Sequence, residues 1–232
     1  MNRPNAIRTL EMEDGKLRSA PEKITCAMNR TEHWNTVYTT KAPDEVSWHQ
    51  VRPEMSLGLI EHAGIARDKG IIDVGGGAST LVDHLLAAGY SRLAVLDISH
   101  AALEYAQTRL GEKAARVEWM VADVTEFTPP HSVALWHDRG VFHFLKEAAD
   151  RRKYVESLRR TVPPGGQVII ATFAPHGPEK CSGLEVCRYD AAGICAELGA
   201  EFDLVERADE THRTPWDTGQ AFGYYRFRRM GD

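Results

Sequence analysis

A chain of 232 residues, 43% hydrophobic and 26% charged, is long enough for one α/β domain with a full core and ordinary in composition for a globular protein. Its net charge of −5, with no run of Lys and Arg, argues against a nucleic-acid surface, and no apolar stretch approaches the length of a membrane span. The polar start lacks the apolar centre of an export signal, so Cys26, Cys181, Cys187 and Cys195 are expected to be reduced thiols in a cytoplasmic protein.

In chain order, residues 1–30 are expected to form a polar tail, and 31–232 a single domain. Trp34, Tyr38 and Trp48 come first, followed by a helical pattern at Met55, Leu59, Ile60 and Ala63. From there strand and helix patterns alternate. Strands are expected near 70–75, 92–97, 116–121, 132–137 and 167–173, with helices near 79–88, 100–110 and 147–161. This alternation predicts a doubly wound, Rossmann-like sheet with helices on both faces. A Pro/Gly-punctuated segment, 175–189, precedes a helix near 190–198. Strand-like runs near 202–207 and 221–228 then predict an antiparallel hairpin closing a seven-stranded, mostly parallel sheet.

The stretch IIDVGGGAST, 71–80, carries the most information. A buried strand runs into Gly75, Gly76 and Gly77, and a helix begins just beyond. Glycine lets backbone approach a ligand closely, and the helix start behind it offers free N–H groups. The spacing Gly75-x-Gly77 lacks the third glycine of a dinucleotide fingerprint; Ser79 falls in that region. Asp97, 22 residues after Gly75, ends the next strand, where a carboxylate can accept from ribose hydroxyls. Ser99 is better placed than Asp97 to cap the following helix. Asp73, Asp97, Asp123 and Asp138 are therefore expected along one edge of the sheet, at its carboxyl ends, where ligands bind in such folds.

The motifs IIDVGGGAS, AVLDIS, VADVTEF, ALWHDRGVFHFL and PPGGQVIIATF resemble those of class I S-adenosylmethionine-dependent methyltransferases over roughly 31–229. The resemblance implies S-adenosyl-L-methionine as cofactor. It implies that Asp73, Gly75 and Gly77 hold its methionine part, Asp97 its ribose, and Asp123 with the Val124 backbone its adenine. Gly76, Ser79, Ile98 and His137 join that set, and Trp34, Tyr38 and Trp48 are expected either to pack on the sheet or to cover the cofactor. Within the superfamily the chain resembles the thiopurine methyltransferase group at WHDRG (136–140), and the elongation-factor lysine methyltransferases at HWNTVY (33–38). Arg139 favours the first.

On the acceptor side, Asp138 or His143 is expected as a general base and Arg139 as an anchor for an anionic acceptor. The segment 175–189, with Cys181 and Arg188, is expected to lie over the cofactor as a lid. Cys181, Cys187 and Cys195 match no zinc spacing and are expected to pack; no metal is expected. His212, Arg213, Pro215 and Trp216 are expected in the closing hairpin loop, within reach of the same pocket. The function expected is methyl transfer to a small-molecule S, Se or N nucleophile, with protein-lysine methylation as the alternative. No nucleic-acid or membrane partner is expected, and the chain is read as a monomer or homodimer.

Overall fold

The computed structural model describes residues 10–13, 16–19 and 29–231. The tail expected over 1–30 falls mostly outside them. Within it, β1 (Leu10–Glu13) and β2 (Lys16–Ser19) pair antiparallel. Helices α1 (Arg30–Thr40) and α2 (Glu54–His62) follow. The alternating core is β3 (Gly70–Val74), α3 (Leu81–Ala87), β4 (Arg92–Asp97), α4 (His100–Leu110), β5 (Val117–Val121), β6 (Leu135–Arg139), α5 (Ala148–Thr161) and β7 (Gln167–Phe173). A two-residue-strand hairpin, β8 (Lys180–Cys181) with β9 (Leu184–Glu185), leads to α6 (Ala191–Leu198). Long strands β10 (Phe202–Arg213) and β11 (Gly219–Arg229) end the fold.

The main sheet has seven strands in the order β10-β11-β7-β6-β3-β4-β5. Strands β3 to β7 are parallel; β11 runs antiparallel to β7, and β10 antiparallel to β11. Side chains alternate across the sheet, which splits the core in two. Ile72, Leu96, Trp136 and Ile170 face α5 and α6 with Tyr154, Leu158 and Ile194. Ile71, Val95, Leu135 and Ile169 face α2, α3 and α4 with Leu59, Leu81 and Leu103. Both faces are covered, so β3 is buried at all five positions, as a parallel strand between helical layers requires. No helix among the described residues is long and apolar enough to cross a membrane.

Three elements differ from the sequence reading. Strand β6 starts at Leu135, not near 132, because Pro129 and Pro130 precede it and pairing with β3 begins only at Ile71–Leu135. The polar loop expected between the last strands is mostly strand. In β10, residues from Asp203 to Glu210 alternate between exposed and half-buried along the sheet edge. Charges on that edge protect it from pairing with other chains, and they disguise it as loop in sequence. His212 and Arg213 thus lie in β10. His212 Nε2 hydrogen-bonds the Ser47 carbonyl at 2.7 Å, and Trp216 is exposed.

Candidate active site

The parallel strands end in register at one edge. Asp73 pairs across the sheet with Val95 on one side and His137 on the other, and Val74 pairs with Asp138. After Val74 the chain turns through Gly75 (φ 66°), Gly76 and Gly77 (φ 41°). A Cβ on Gly75 would sit 2.0 Å from Val141 Cγ2. On Gly76 it would meet Asp73 Oδ2 at 2.7 Å, and on Gly77 Asp97 Oδ2 at 2.8 Å. Backbone conformation and crowding both require glycine here. Gly75 N–H donates to the Leu96 carbonyl at 2.7 Å, tying the turn to β4. Arg109 of α4 closes it from outside, donating to the Ala78 and Ser79 carbonyls at 2.8 and 2.6 Å while pairing with Asp83. Ser79, in place of a further glycine, stands just before Thr80, the N-cap of α3, and its Oγ accepts from Leu81 N–H at 3.1 Å.

Asp97 ends β4 and is 7% exposed. Ser99 Oγ caps α4 by accepting from Ala102 N–H at 3.2 Å. Asp97 Oδ1 takes the Ser99 N–H at 2.8 Å, so the carboxylate keeps capacity for a ligand. Burial, reinforced by the nearby Asp73 charge, raises its pKa to about 7, against backbone hydrogen bonds that lower it. Asp123 stands two residues beyond β5. Its Oδ1 accepts from the Thr125 N–H and hydroxyl at 2.8 and 2.7 Å, and Arg30 lies 3.6 Å from Oδ2.

Asp73 and His137 form a buried pair. His137 Nδ1 donates to Asp73 Oδ1 at 2.7 Å, and His137 Nε2 is 2.9 Å from Ser56 Oγ of α2. All three lie in the wall of a pocket bounded by Gly75, Gly76 and Ser79.

A larger cavity opens on the other side of the turn. It is lined by Gly75, Asp97, Ile98, Asp123 and Val124 from the strand ends, and by Trp34, Trp48, Arg139, His143 and Phe173. Helix α1 supplies Arg30, Trp34 and Tyr38 to this lining, at four-residue spacing on one face. Asn35 anchors the helix by accepting from Ser99 Oγ at 2.9 Å, and Arg30 pairs with Asp150. The Trp34 ring stands edge-on to Trp48 at 5.8 Å and to Phe144 at 5.0 Å. These aromatics pack on one another and line the cavity. The 175–189 segment reaches the cavity through Cys181. Burial holds that thiol protonated, with its pKa raised to about 11. Cys187 and Cys195 pack on the α5–α6 side instead, and no metal-binding cluster occurs among the described residues.

The two residues expected as general bases are placed differently. Asp138 is fully buried and outside the cavity lining. It accepts from Val141 N–H at 2.8 Å, Phe142 N–H at 3.0 Å and the Tyr154 hydroxyl at 2.7 Å. These bonds tie it to the turn after β6 and to α5. His143 lines the cavity, but burial and the Arg139 charge drop its pKa to about 3. Its Nδ1 accepts the Phe173 N–H at 3.4 Å, so the neutral ring carries its proton on Nε2 and offers the cavity a donor.

Arg139 lines the cavity. Its Nε donates to the Tyr224 hydroxyl at 2.8 Å and Nη1 to the Trp48 carbonyl at 3.1 Å, while the guanidinium lies 4.6 Å from the Phe222 ring centre. Asn35, Ser56, Tyr154, Phe144 and Phe222 were not singled out from sequence. Only the Arg30-Trp34-Tyr38 spacing carried a usable hint of α1.

A seven-stranded sheet in this order, with the glycine turn and Asp97 at its carboxyl edge, is the fold that the sequence resemblance to class I S-adenosylmethionine-dependent methyltransferases implies. The bare glycine cradle beside a buried carboxylate suits that cofactor, whose amino-acid end needs close backbone and whose ribose needs an acceptor. Residues 71–166 match the family model of a methyltransferase domain. The chain is 27% identical to the ubiquinone biosynthesis O-methyltransferase of Aromatoleum aromaticum, over 71% of this chain and 63% of that protein. It is 29% identical to nodulation protein S of Rhizobium tropici over 44% of this chain and 42% of that one. The alignments therefore span less than two thirds of those relatives. Among solved structures, the N-methyltransferase NodS of Bradyrhizobium japonicum, bound to S-adenosylhomocysteine, superposes with a TM-score of 0.66 at 16% identity, covering 87% of this chain and 99% of that one.

Proposed function

We propose that the protein is a methyltransferase that moves the methyl group of S-adenosylmethionine to a small-molecule nucleophile in the Trp34–Arg139 cavity. The observation that carries this is the position of Asp97, whose buried carboxylate lies against the bare Gly77 backbone at one wall of an aromatic-lined cavity. The cofactor brings an electrophilic methyl on a sulfonium. The chain binds, aligns and excludes water. In this reading Asp97 accepts from the ribose hydroxyls, Asp123 and the Val124 backbone meet the adenine, and the glycine turn with Ser79 faces the amino-acid end. The Asp73–His137–Ser56 chain supports that turn, and Trp34, Tyr38 and Trp48 cover the site. Arg139 orients the acceptor. Asp138 positions the loop that carries Val141 and His143.

The small-molecule reading is favoured over protein-lysine methylation because the acceptor wall is aromatic and carries Arg139, where a lysine side chain would need acids. The WHDRG resemblance to the thiopurine group accords with this, as Arg139 is the residue it brings to the cavity. The acceptor atom, S, Se or N at first reading, extends to O, since the named relatives include an O-methyltransferase. Free thiols at Cys181, Cys187 and Cys195 accord with a cytoplasmic enzyme.

Saturating S-adenosylhomocysteine is expected to raise the melting temperature, whereas NAD is not. A ligand at 100 times its dissociation constant adds about 2.7 kcal/mol. Absence of a shift with S-adenosylhomocysteine overturns the proposal. Labelled cofactor supplied to a cell lysate should mark small molecules; label confined to protein bands would favour the lysine alternative.

A further inference from the structure

Resting on that reading, the geometry points to an aromatic anion as the acceptor, seated among the cavity's rings with its charge on Arg139 Nη2. Two observations converge. The first is an aromatic belt: Trp34 against Phe144 at 5.0 Å, His143 against Phe144 at 4.5 Å and Phe173 at 4.8 Å, and Phe173 against Phe222 at 4.7 Å. Ring edges and faces at these spacings suit a planar guest.

The second is a pair of orphaned donors. Among the described residues, Arg139 Nη2 and His143 Nε2 are buried with no hydrogen-bond partner, and both residues line this cavity. Buried polar groups are nearly always paired, and a bare one is costly. The Arg139 side chain is only 10% exposed. Its nearest carboxylate, Glu210, stands 3.9 Å away and is held by the Tyr224 hydroxyl at 2.7 Å and by Gln50 at 3.1 Å. That carboxylate balances the charge without occupying Nη2. A ligand atom that satisfies Arg139 best is anionic, and His143 Nε2–H then donates to a second acceptor atom on the same guest.

The test is titration calorimetry of the full chain, saturated with S-adenosylhomocysteine, against benzoate, 3,4-dihydroxybenzoate, catechol, benzylamine and cyclohexanecarboxylate. The two aromatic acids are expected to bind at least about tenfold tighter than catechol or benzylamine, the span of one charge-assisted hydrogen bond, and tighter than the saturated acid, which keeps the charge and lacks the flat ring. Arg139→Gln is expected to erase that preference and Arg139→Lys to keep part of it. Equal binding of acid and neutral rings, no binding of either acid, or a preference that survives Arg139→Gln overturns the inference. Should Arg139→Gln fail to fold, the ring series on the natural chain and Arg139→Lys decide. Binding of S-adenosylhomocysteine itself, read first, separates this inference from the function beneath it: its failure removes both, while its success without a charge preference removes only the acceptor class.

Discussion

His137 and Asp73, on adjacent strands of the buried sheet, are joined by a 2.7 Å hydrogen bond, and Ser56 of α2 stands 2.9 Å from the far nitrogen of the same ring. The chain of three runs from the glycine turn to α2. Removing the middle member leaves a buried carboxylate without its partner. His137→Leu is expected to cost about 3 kcal/mol of stability. Ser56→Ala, which removes the outer link alone, should cost about 1 kcal/mol. Urea denaturation distinguishes the two, and equal losses would contradict the order of the chain.

Asp97 gives a pH dependence of defined sign. Its folded pKa of about 7 lies above the ordinary carboxylate range, mainly through burial. Between the two values the folded state keeps a proton that the unfolded chain has lost. The Asp97 contribution therefore lowers stability as pH rises through that window, and the loss is complete above about pH 7. Ribose hydroxyls favour the ionised carboxylate. Affinity for S-adenosylhomocysteine should then weaken about tenfold per unit as pH falls below about 7. Calorimetry at several pH values measures this; Asp97→Asn should bind weakly and show little pH dependence.

Gly75 and Gly89 separate backbone strain from crowding. Both have positive φ, 66° and 87°, but a Cβ on Gly75 meets Val141 Cγ2 at 2.0 Å while one on Gly89 meets nothing within 4 Å. Gly89→Ala is expected to cost about 1–2 kcal/mol, the left-handed penalty alone. Gly75→Ala should cost about 1–3 kcal/mol more, from overpacking. Adding Val141→Ala to Gly75→Ala should recover much of the excess and none of the strain, which a double-mutant cycle reads directly.

Tyr154 connects two buried groups: it accepts from Trp136 Nε1 at 2.9 Å and donates to Asp138 at 2.7 Å. Tyr154→Phe orphans the indole N–H and weakens the hold on Asp138, whose pKa burial already lifts to about 6. A loss of about 1–3 kcal/mol is expected in chemical denaturation. Because the Tyr154 hydrogen bond lowers the Asp138 pKa, its removal should move the acid-side titration of that carboxylate upward, a change NMR can follow.

The sheet was legible because burial on both faces writes long β-branched runs, and the glycine turn and the Ser99 cap were legible from their spacing after the strands. Strand β6 and the β10–β11 hairpin were shifted or shortened because prolines and edge charges look like loop. Helix α1 was hidden because Val37 is its only buried residue, so it has hardly any apolar stripe to find. The role of Asp138 was misread for a different reason. An acid at a strand end looks the same in sequence whether it faces a ligand or caps the next turn, and only the positions of Val141, Phe142 and Tyr154 decide. The tautomer of His143 depends likewise on one backbone N–H, that of Phe173, 30 residues away.

Because α1 stands outside the sheet and is moored by contacts such as Asn35 to Ser99, the parts of the cavity wall have different tolerance to change. The glycine turn is locked into crowded backbone. Helix α1 instead touches the strand-end lining and the aromatic lining at once, with Arg30 beside Asp123 and Trp34 beside Phe144. Exchanging residues 30–40 would therefore reshape the two together, so one cannot be altered through this helix without disturbing the other.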